Sequence, residues 1–291
     1  MRIYQSSLTS TTLSLLEEKS PGSSVHVLRS YLVDGPGTLR IFAKRHKNVK
    51  SLALDSGTWS ISQNTHKHHI SGEIYGDFLE DYAKMFSFYF GFDPVHGDGG
   101  TEDSLENQLY LESRGLTPIP VIQNLSLEVD YYIKNKSKYP FVAIGSTRKK
   151  AMSDLVRCTN ALYKEGVKVH WFGIGSLLKL ASAPVWSSDC SSFAQWVKNG
   201  MLIFYDMNED KEVALATREY SKRGKLNKDY IRTHPVFEEY SDWLFDNLRL
   251  NVEEVISNQG LKMLANSYYF FELENKINEI HQSKGFVFDV Y

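Results

Sequence analysis

The sequence has few cysteines, little excess charge of either sign and no long apolar run, and each shortage excludes a class of protein. Only Cys158 and Cys190 occur, which make neither a disulfide framework nor a Cys-x-x-Cys zinc knuckle. Lys and Arg number 33 against 35 Asp and Glu, so any nucleic-acid-binding surface must be local. No apolar run approaches the roughly 20 residues of a membrane span, and Met1 precedes polar sequence rather than a secretion signal. We expect a soluble cytoplasmic protein that binds no membrane.

What is present is a regular alternation of two patterns. Short apolar runs, typical of buried strands, occur at Ser51–Asp55, Met85–Phe92, Pro118–Ile122, Phe141–Gly145, Val167–Gly173, Val185–Asp189 and Met201–Asp206. Longer helix-compatible stretches lie between them, such as Ser104–Ser113, Leu127–Asn135 and Lys150–Lys164. This alternation predicts an α/β fold. Polar residues and glycines gather where the apolar runs end, which favours a (β/α)8 TIM-like barrel over a doubly wound sheet.

We expect residues 1–291 to form one catalytic domain, in which the remaining segments flank the barrel. In the region 1–50, the runs Val25–Leu32 and Thr38–Ala43 flank Asp34-Gly35-Pro36-Gly37, which predicts a β-hairpin across one barrel end. The barrel core is expected at 51–206. The part 207–291 is expected to be helical, with helices at Pro235–Leu250, Val252–Lys262 and Asn266–Gln282.

Two aspartates that follow apolar runs are the main candidates for chemistry. Asp55 begins an Asp-Ser-Gly-Thr-Trp turn, in which backbone N–H groups can face a ligand. Asp189 lies among serines whose hydroxyls could keep a carboxylate ionised, as a nucleophile requires. The alternatives are an Asx turn that caps a helix and a polar loop that contains an N-cap. The pair indicates acid/base and nucleophilic work on a flat ring.

Two glycine-rich segments are further candidates. In Gly91–Gly100, Asp93 could accept hydrogen bonds from the N–H edge of a purine-like base and Asp98 could fix the loop, although an ordinary turn has the same composition. Gly173-Ile174-Gly175 lacks the third glycine of a dinucleotide fingerprint. The small residue Gly173 would instead let a planar ligand approach the backbone.

Histidines and basic clusters complete the set of candidates. His66, His68 and His69 surround a lysine and match no common zinc spacing, so we expect an exposed loop and no metal. Two basic clusters could contact phosphates or could be solvated helix faces. They are Arg148, Lys149 and Lys150, and Arg218, Lys222, Arg223, Lys225, Lys228 and Arg232.

Taken in order, these segments resemble the tRNA-guanine transglycosylase superfamily, in particular its compact phage-type members, the DNA-guanine transglycosylases. The resemblance runs from about Ser51 to Leu202. It rests on Leu-Asp-Ser-Gly, Phe-Asp-Pro-Val-His-Gly-Asp, Glu-Asn-Gln with Pro-Ile-Pro-Val, Val-Ala-Ile-Gly, Val-His-Trp-Phe-Gly-Ile-Gly and Ser-Ser-Asp-Cys-Ser-Ser-Phe. It implies a (β/α) barrel that replaces guanine in DNA with a free 7-deazaguanine base, without a cofactor.

The resemblance also implies residue roles. Asp189 matches the nucleophile that forms a covalent glycosyl-aspartate, and Asp55 matches the general acid/base. The base pocket would consist of the edge readers Asp93 and Gln123, the backbone contact Gly145, and the stacking residues Trp59 and Phe172. The target base must be flipped out or lie in a single strand, and the basic clusters would then contact its phosphates.

The sequence departs from the tRNA enzymes at two places. Their Cys-x-Cys-x-x-Cys and His zinc site is missing because no Cys follows Cys190, so structural zinc is not expected. Their Gln-Gly-Gly appears here as Gln123-Asn124-Leu125. The same chemistry on tRNA, and a catalytically inactive nucleic-acid-binding partner subunit, remain alternatives. A homodimer is compatible with the sequence, and a phage-encoded enzyme would act in the host cytoplasm.

Overall fold

A computed structural model describes residues 1–6, 8–62, 70–96, 98–145, 150–220 and 223–288, without the side chains of 43–45, 61–62 and 98. Several predicted positions lie outside the described residues: His66, His68, His69, Arg148, Lys149 and Lys222. None of the described helices has both the length and the apolarity needed to cross a bilayer.

An eight-stranded sheet forms the centre of the fold, and all its pairings are parallel. In spatial order the strands are β4 (Phe88–Tyr89), β3 (Val49–Asp55), β2 (Val25–Ser30), β1 (Arg2–Ser6), β8 (Ser187–Cys190), β7 (Lys168–Trp171), β6 (Phe141–Ile144) and β5 (Val121–Ile122). The sheet curls so that its edge strands meet at one bridge between Phe90 and Ile119. The fold is therefore α/β and TIM-like, with a regular ladder everywhere except between β4 and β5.

Helices connect successive strands and cover the outside of the sheet. They are α1 (Ser10–Lys19), α2 (Tyr31–Arg45), α3 (Thr58–Ser62), α4 (Gly72–Tyr82), α5 (Thr101–Ser113), α6 (Leu125–Lys134), α7 (Met152–Lys164), α8 (Leu177–Leu180), α9 (Ser192–Lys198), α10 (Phe237–Leu248), α11 (Val252–Ser257) and α12 (Gln259–Ser283). A large apolar core fills the space between helices and sheet. A small second core inside the curl consists of Tyr4, Leu28, Ala53, Phe90, Val121 and Ala143.

The predicted N-terminal hairpin is wrong. Val25–Ser30 pairs in parallel with β1 and β3, and Thr38 to Ala43 belong to α2. The side chain of Ser30 accepts a hydrogen bond from the Val33 N–H, so it caps a helix where the hairpin was expected to continue. Gly35, with φ of 70°, and the following proline produce a kink inside α2 rather than a hairpin turn.

The predicted barrel limits of 51 and 206 are also corrected by the topology. The sheet includes β1 and β2, both before residue 51, whereas Met201–Asp206 (β9) pairs antiparallel with Lys211–Ala216 (β10) outside it. Asp206 makes the hairpin turn because its carboxylate accepts from the backbone N–H of Asn208 and Glu209 at 3.0 Å. The C-terminal part therefore begins with a hairpin, and its helices α10 to α12 follow.

Candidate active site

Several candidate residues lie at the carboxyl ends of strands, and the alternation of side chains along each strand turns them toward the inside of the curled sheet. Side chains of a strand alternate between its two faces, so the residue two positions after an inward-facing one also faces inward. Ala53, Ala143 and Ser187 are buried in or beside the inner core. Two positions after them are Asp55, Gly145 and Asp189, at the carboxyl ends of β3, β6 and β8.

A cavity of about 600 Å³ lies at this end. It is lined by seven of the predicted site residues, namely Asp55, Trp59, Asp93, Gly145, Phe172, Gly173 and Asp189. Gln123 lies directly behind the lining and donates to Asp93. The structure thus brings together residues that are more than 130 positions apart in the sequence, as expected for the chemistry-bearing end of a barrel.

The carboxylate of Asp189 is surrounded by hydrogen-bond donors. Ser6 Oγ donates to its Oδ2 at 2.7 Å, and the Gly173 N–H donates to its Oδ1 at 2.9 Å. Nε2 of His170 lies 3.4 Å from the same Oδ1. Donors aimed at both oxygens stabilise the ionised form and fix the plane of the carboxylate. This arrangement suits a nucleophile that must remain charged.

The carboxyl group of Asp55 has the opposite environment. Burial, followed by the charges of Asp93 and Asp189, raises the pKa of Asp55 to about 8. The backbone N–H of Gly57, a residue with φ of 89°, donates to Oδ2 at 3.1 Å and only partly opposes this rise. Asp55 is therefore protonated at neutral pH and opens into the cavity, which suits a general acid.

Asp93 forms the polar floor of the cavity. Thr58 Oγ1 donates to its Oδ1 at 2.8 Å, and Gln123 Nε2 donates to its Oδ2 at 2.9 Å. Burial raises the pKa of Asp93, and the neighbouring His96, at 3.6 Å, opposes the rise. A Cβ added to Gly145 would lie 2.8 Å from Gln123 Nε2, so the glycine is what allows this side chain to reach Asp93.

Two aromatic rings border the cavity. Phe172 is anchored against Phe90, with ring centroids 4.5 Å apart. Trp59 is 36% exposed and meets the edge of His96 at a centroid distance of 5.2 Å. One ring is therefore fixed in the interior and the other lies at the mouth, an arrangement able to hold a planar ligand between them.

The predicted basic clusters are only partly connected with this cavity. Lys150 Nζ donates to the backbone oxygen of Gln123 at 2.5 Å, so it supports the strand end behind Asp93. Arg218, Arg223 and Lys225 are exposed and lie outside the cavity lining. The side chain of Asp98 lies outside the described part of the chain.

Sequence reasoning missed several residues of the site. Ser6 and His170 contact the Asp189 carboxylate, and His96 contacts Asp93. Arg29 also lines the cavity, where its guanidinium pairs with Asp34. The period-two rule applied to His170-Trp171-Phe172 could have found His170, whereas Ser6 required the recognition of β1.

Within the described part of the chain, no group of three or more His, Cys, Asp or Glu is arranged to hold a metal ion. Three of the acids that line the cavity, Asp55, Asp93 and Asp189, accept hydrogen bonds from protein donors, and the fourth, Asp34, pairs with Arg29.

Comparisons with known proteins assign this chain to no family. No protein-family model matches the sequence, and no curated protein sequence matches it. A solved structure, the carboxyl transferase domain from Rhizobium etli pyruvate carboxylase, is similar with a TM-score of 0.44 and 10% identity. The match covers 98% of this chain and 54% of that one.

Proposed function

We propose that this protein is a base-exchange transglycosylase that replaces guanine in DNA with a 7-deazaguanine through a glycosyl ester on Asp189. One observation carries the proposal: a single cavity holds a protonated carboxyl group at Asp55 and a carboxylate stabilised by hydrogen bonds at Asp189. Two carboxyl groups in opposite protonation states on either side of a sugar are the requirement for retaining glycosyl transfer.

The chemistry balances with these two residues alone. An electron pair of Asp189 forms a bond to the anomeric carbon while the glycosidic C–N bond breaks, and the departing guanine takes the proton of Asp55. The incoming base then returns a proton to Asp55, its nitrogen bonds to the anomeric carbon, and the ester electron pair returns to Asp189. The exchange needs no ATP and no cofactor.

The remaining cavity residues fit recognition of a purine-like base. Asp93 presents a carboxyl group to its edge and is supported from behind by Gln123. The backbone at Gly145 is open to the base, and Trp59 and Phe172 offer aromatic faces. Stacking on such rings contributes roughly 1–3 kcal/mol per base. A base inside a duplex cannot reach a cavity of this kind, so the target nucleotide must be flipped out or single-stranded.

Transfer on tRNA is the second candidate, because the same carboxylates would serve either polymer. The DNA assignment rests on the sequence resemblance to the phage-type enzymes and on the absence of cysteines after Cys190. An inactive nucleic-acid-binding subunit is the third candidate. The hydrogen bonds that prepare Asp189 favour activity, because a scaffold gains nothing from them.

Incorporation of radiolabelled guanine distinguishes the three candidate functions. The protein is incubated with the labelled base and either DNA, single-stranded and duplex, or unfractionated tRNA. Label in DNA supports the proposal, label in tRNA alone moves the activity to the second candidate, and no label in either polymer overturns both. A second incubation supplies free 7-deazaguanine bases in place of guanine, and digestion of that DNA to nucleosides, followed by mass spectrometry, identifies the inserted base.

A further inference from the structure

A histidine that the proposed reaction does not yet use lies directly beneath the nucleophile. His170 is fully buried inside the curl on β7, where its ring packs on Phe90 at a centroid distance of 4.7 Å. Its Nδ1 is 2.8 Å from Ser187 Oγ. Its Nε2 has no ordinary hydrogen-bond partner among the described residues and faces Asp189 Oδ1 at 3.4 Å.

The order Ser187, His170, Asp189 looks like a hydrolase triad, but the geometry excludes that role. Ser187 has no exposed area and is absent from the cavity lining, so no substrate carbonyl can reach its hydroxyl. The residue of the three that faces the cavity is Asp189. The chain of contacts therefore leads from the core to the carboxylate.

The proton positions follow from the neighbours of the ring. Burial lowers the pKa of His170, and the charge of Asp189 only partly opposes this, so the imidazole is neutral with one N–H. A proton on Nδ1 would turn the Nε2 lone pair toward carboxylate lone pairs, which is repulsive. The stable arrangement has the Ser187 hydroxyl donating to Nδ1 and the Nε2–H on the side of Asp189 Oδ1, where it makes an electrostatic contact rather than an ordinary hydrogen bond.

We propose that His170 is a positioning residue that reserves Oδ1 of Asp189 as the carbonyl oxygen of the glycosyl ester and leaves Oδ2 to attack the sugar. This inference rests on the proposed function. Oδ1 faces two groups fixed by the fold, the Gly173 N–H and the His170 ring. Oδ2 is held by Ser6, whose hydroxyl lines the cavity and can rotate away when substrate binds.

The consequence differs between the two half-reactions. When the incoming base attacks the anomeric carbon, the C–Oδ2 bond breaks and its electron pair returns to the Asp189 carboxylate. The N–H groups at Oδ1 stabilise that returning charge, so they make Asp189 a better leaving group. Without His170, the carboxylate still attacks the sugar, but its ester breaks down more slowly.

The test compares His170→Phe, which keeps a planar ring without an N–H, with His170→Gln, which retains a donor. Each variant reacts with a guanine-containing oligonucleotide and free base, is quenched in denaturant, and is analysed for the protein–DNA adduct by intact mass. We expect exchange to fall about 10- to 100-fold in His170→Phe, the scale of one hydrogen bond to a charged group. The adduct fraction should rise above that of the unmodified protein, and His170→Gln should restore both values in part.

The outcomes distinguish this inference from the function on which it rests. If the unmodified protein shows neither exchange nor adduct, the proposed function fails. If it exchanges base while His170→Phe has an unchanged rate and adduct fraction, His170 has no such role. Loss of exchange in a folded His170→Phe protein without added adduct also overturns the inference, because it shows that formation of the ester is the step that suffers.

Discussion

Asp55 and Asp189 are the same residue type at the ends of two strands of one sheet, yet their surroundings differ in kind: burial and neighbouring carboxylates act on Asp55, whereas hydrogen-bond donors face Asp189. Asp55 is desolvated and lies near two other carboxylates, so its pKa rises to about 8. Asp189 receives hydrogen bonds on both oxygens from Ser6 and Gly173. The comparison teaches that neighbouring donors and charges, not position in a motif, distinguish the two carboxyl groups.

The substitution Asp189→Asn removes the carboxylate that is proposed to attack the sugar, and it should have the largest effect on exchange. An amide cannot form the glycosyl ester, so we expect exchange to fall by about 10⁴-fold or more, the scale for loss of a nucleophile. The measurement is incorporation of labelled guanine, with the thermal midpoint as a control for folding. An Asp189→Asn protein with substantial exchange would remove the nucleophile assignment.

The substitution Asp55→Asn removes the carboxyl group that is proposed to protonate the departing base. The departing base would lose its proton donor, and a fall of about 10²- to 10⁴-fold is expected from loss of a general acid. The substitution leaves Asp189 and the rest of the cavity in place. The folded variant should therefore bind DNA with unchanged affinity in a fluorescence anisotropy titration. Unchanged exchange in this variant would show that another group protonates the base.

The pH dependence tests the difference between the two carboxyl groups without a substitution. Departure of guanine requires protonated Asp55, so the rate should fall about tenfold per pH unit above its pKa of about 8. Stability should change with the same sign, since a carboxyl whose folded pKa is raised stabilises the folded state below its unfolded pKa. That contribution is lost as pH rises from the ordinary aspartate pKa of 3.8 through about 8.

Urea unfolding at several pH values measures this second effect. The free energy of unfolding of the unmodified protein should decrease across that interval more steeply than that of Asp55→Asn. Equal slopes for the two proteins would mean that Asp55 has an ordinary pKa in the folded state.

The smallest effect is expected from a change behind the base pocket. The Cβ of Gly145→Ala would lie 2.8 Å from Gln123 Nε2 and should displace this side chain from Asp93. Loss of one such hydrogen bond weakens base binding by up to about tenfold. Competition by unlabelled guanine measures it. Gly37→Ala, whose Cβ meets no atom within 4 Å, is the matched control and should bind normally.

The sequence predicted the sheet type and the grouping of the site residues because parallel strands carry clear apolar runs and end at one edge. It missed β1 because Arg2, Gln5 and Ser6 make that strand polar. Gln5 is nevertheless buried, and its side chain forms hydrogen bonds with Ser267 of α12. It predicted a hairpin in α2 because glycine and proline mark turns, whereas the Ser30 cap and the pairing of β2 with β3 decide the conformation.

The contact between His170 and Asp189 could not be predicted from the sequence for a different reason. A single histidine within an apolar run is ordinarily a core residue, and its partner Asp189 is distant in sequence. Only the parallel register that sets His170 opposite Ser187 brings the ring beneath the carboxylate. Contacts between neighbouring strands of this kind depend on the register of the whole sheet, which local patterns do not specify.

The position of β1 between β2 and β8 ties the chemistry to the completion of folding. The Ser6 hydroxyl and the Asp189 carboxylate are 183 residues apart in sequence and meet only when the eighth strand docks on the first. The hydrogen bond from Ser6 to Asp189 therefore forms only after β8 has been synthesised and has docked on β1. Chains in which these strands have not docked therefore lack one of the donors that orient the Asp189 carboxylate.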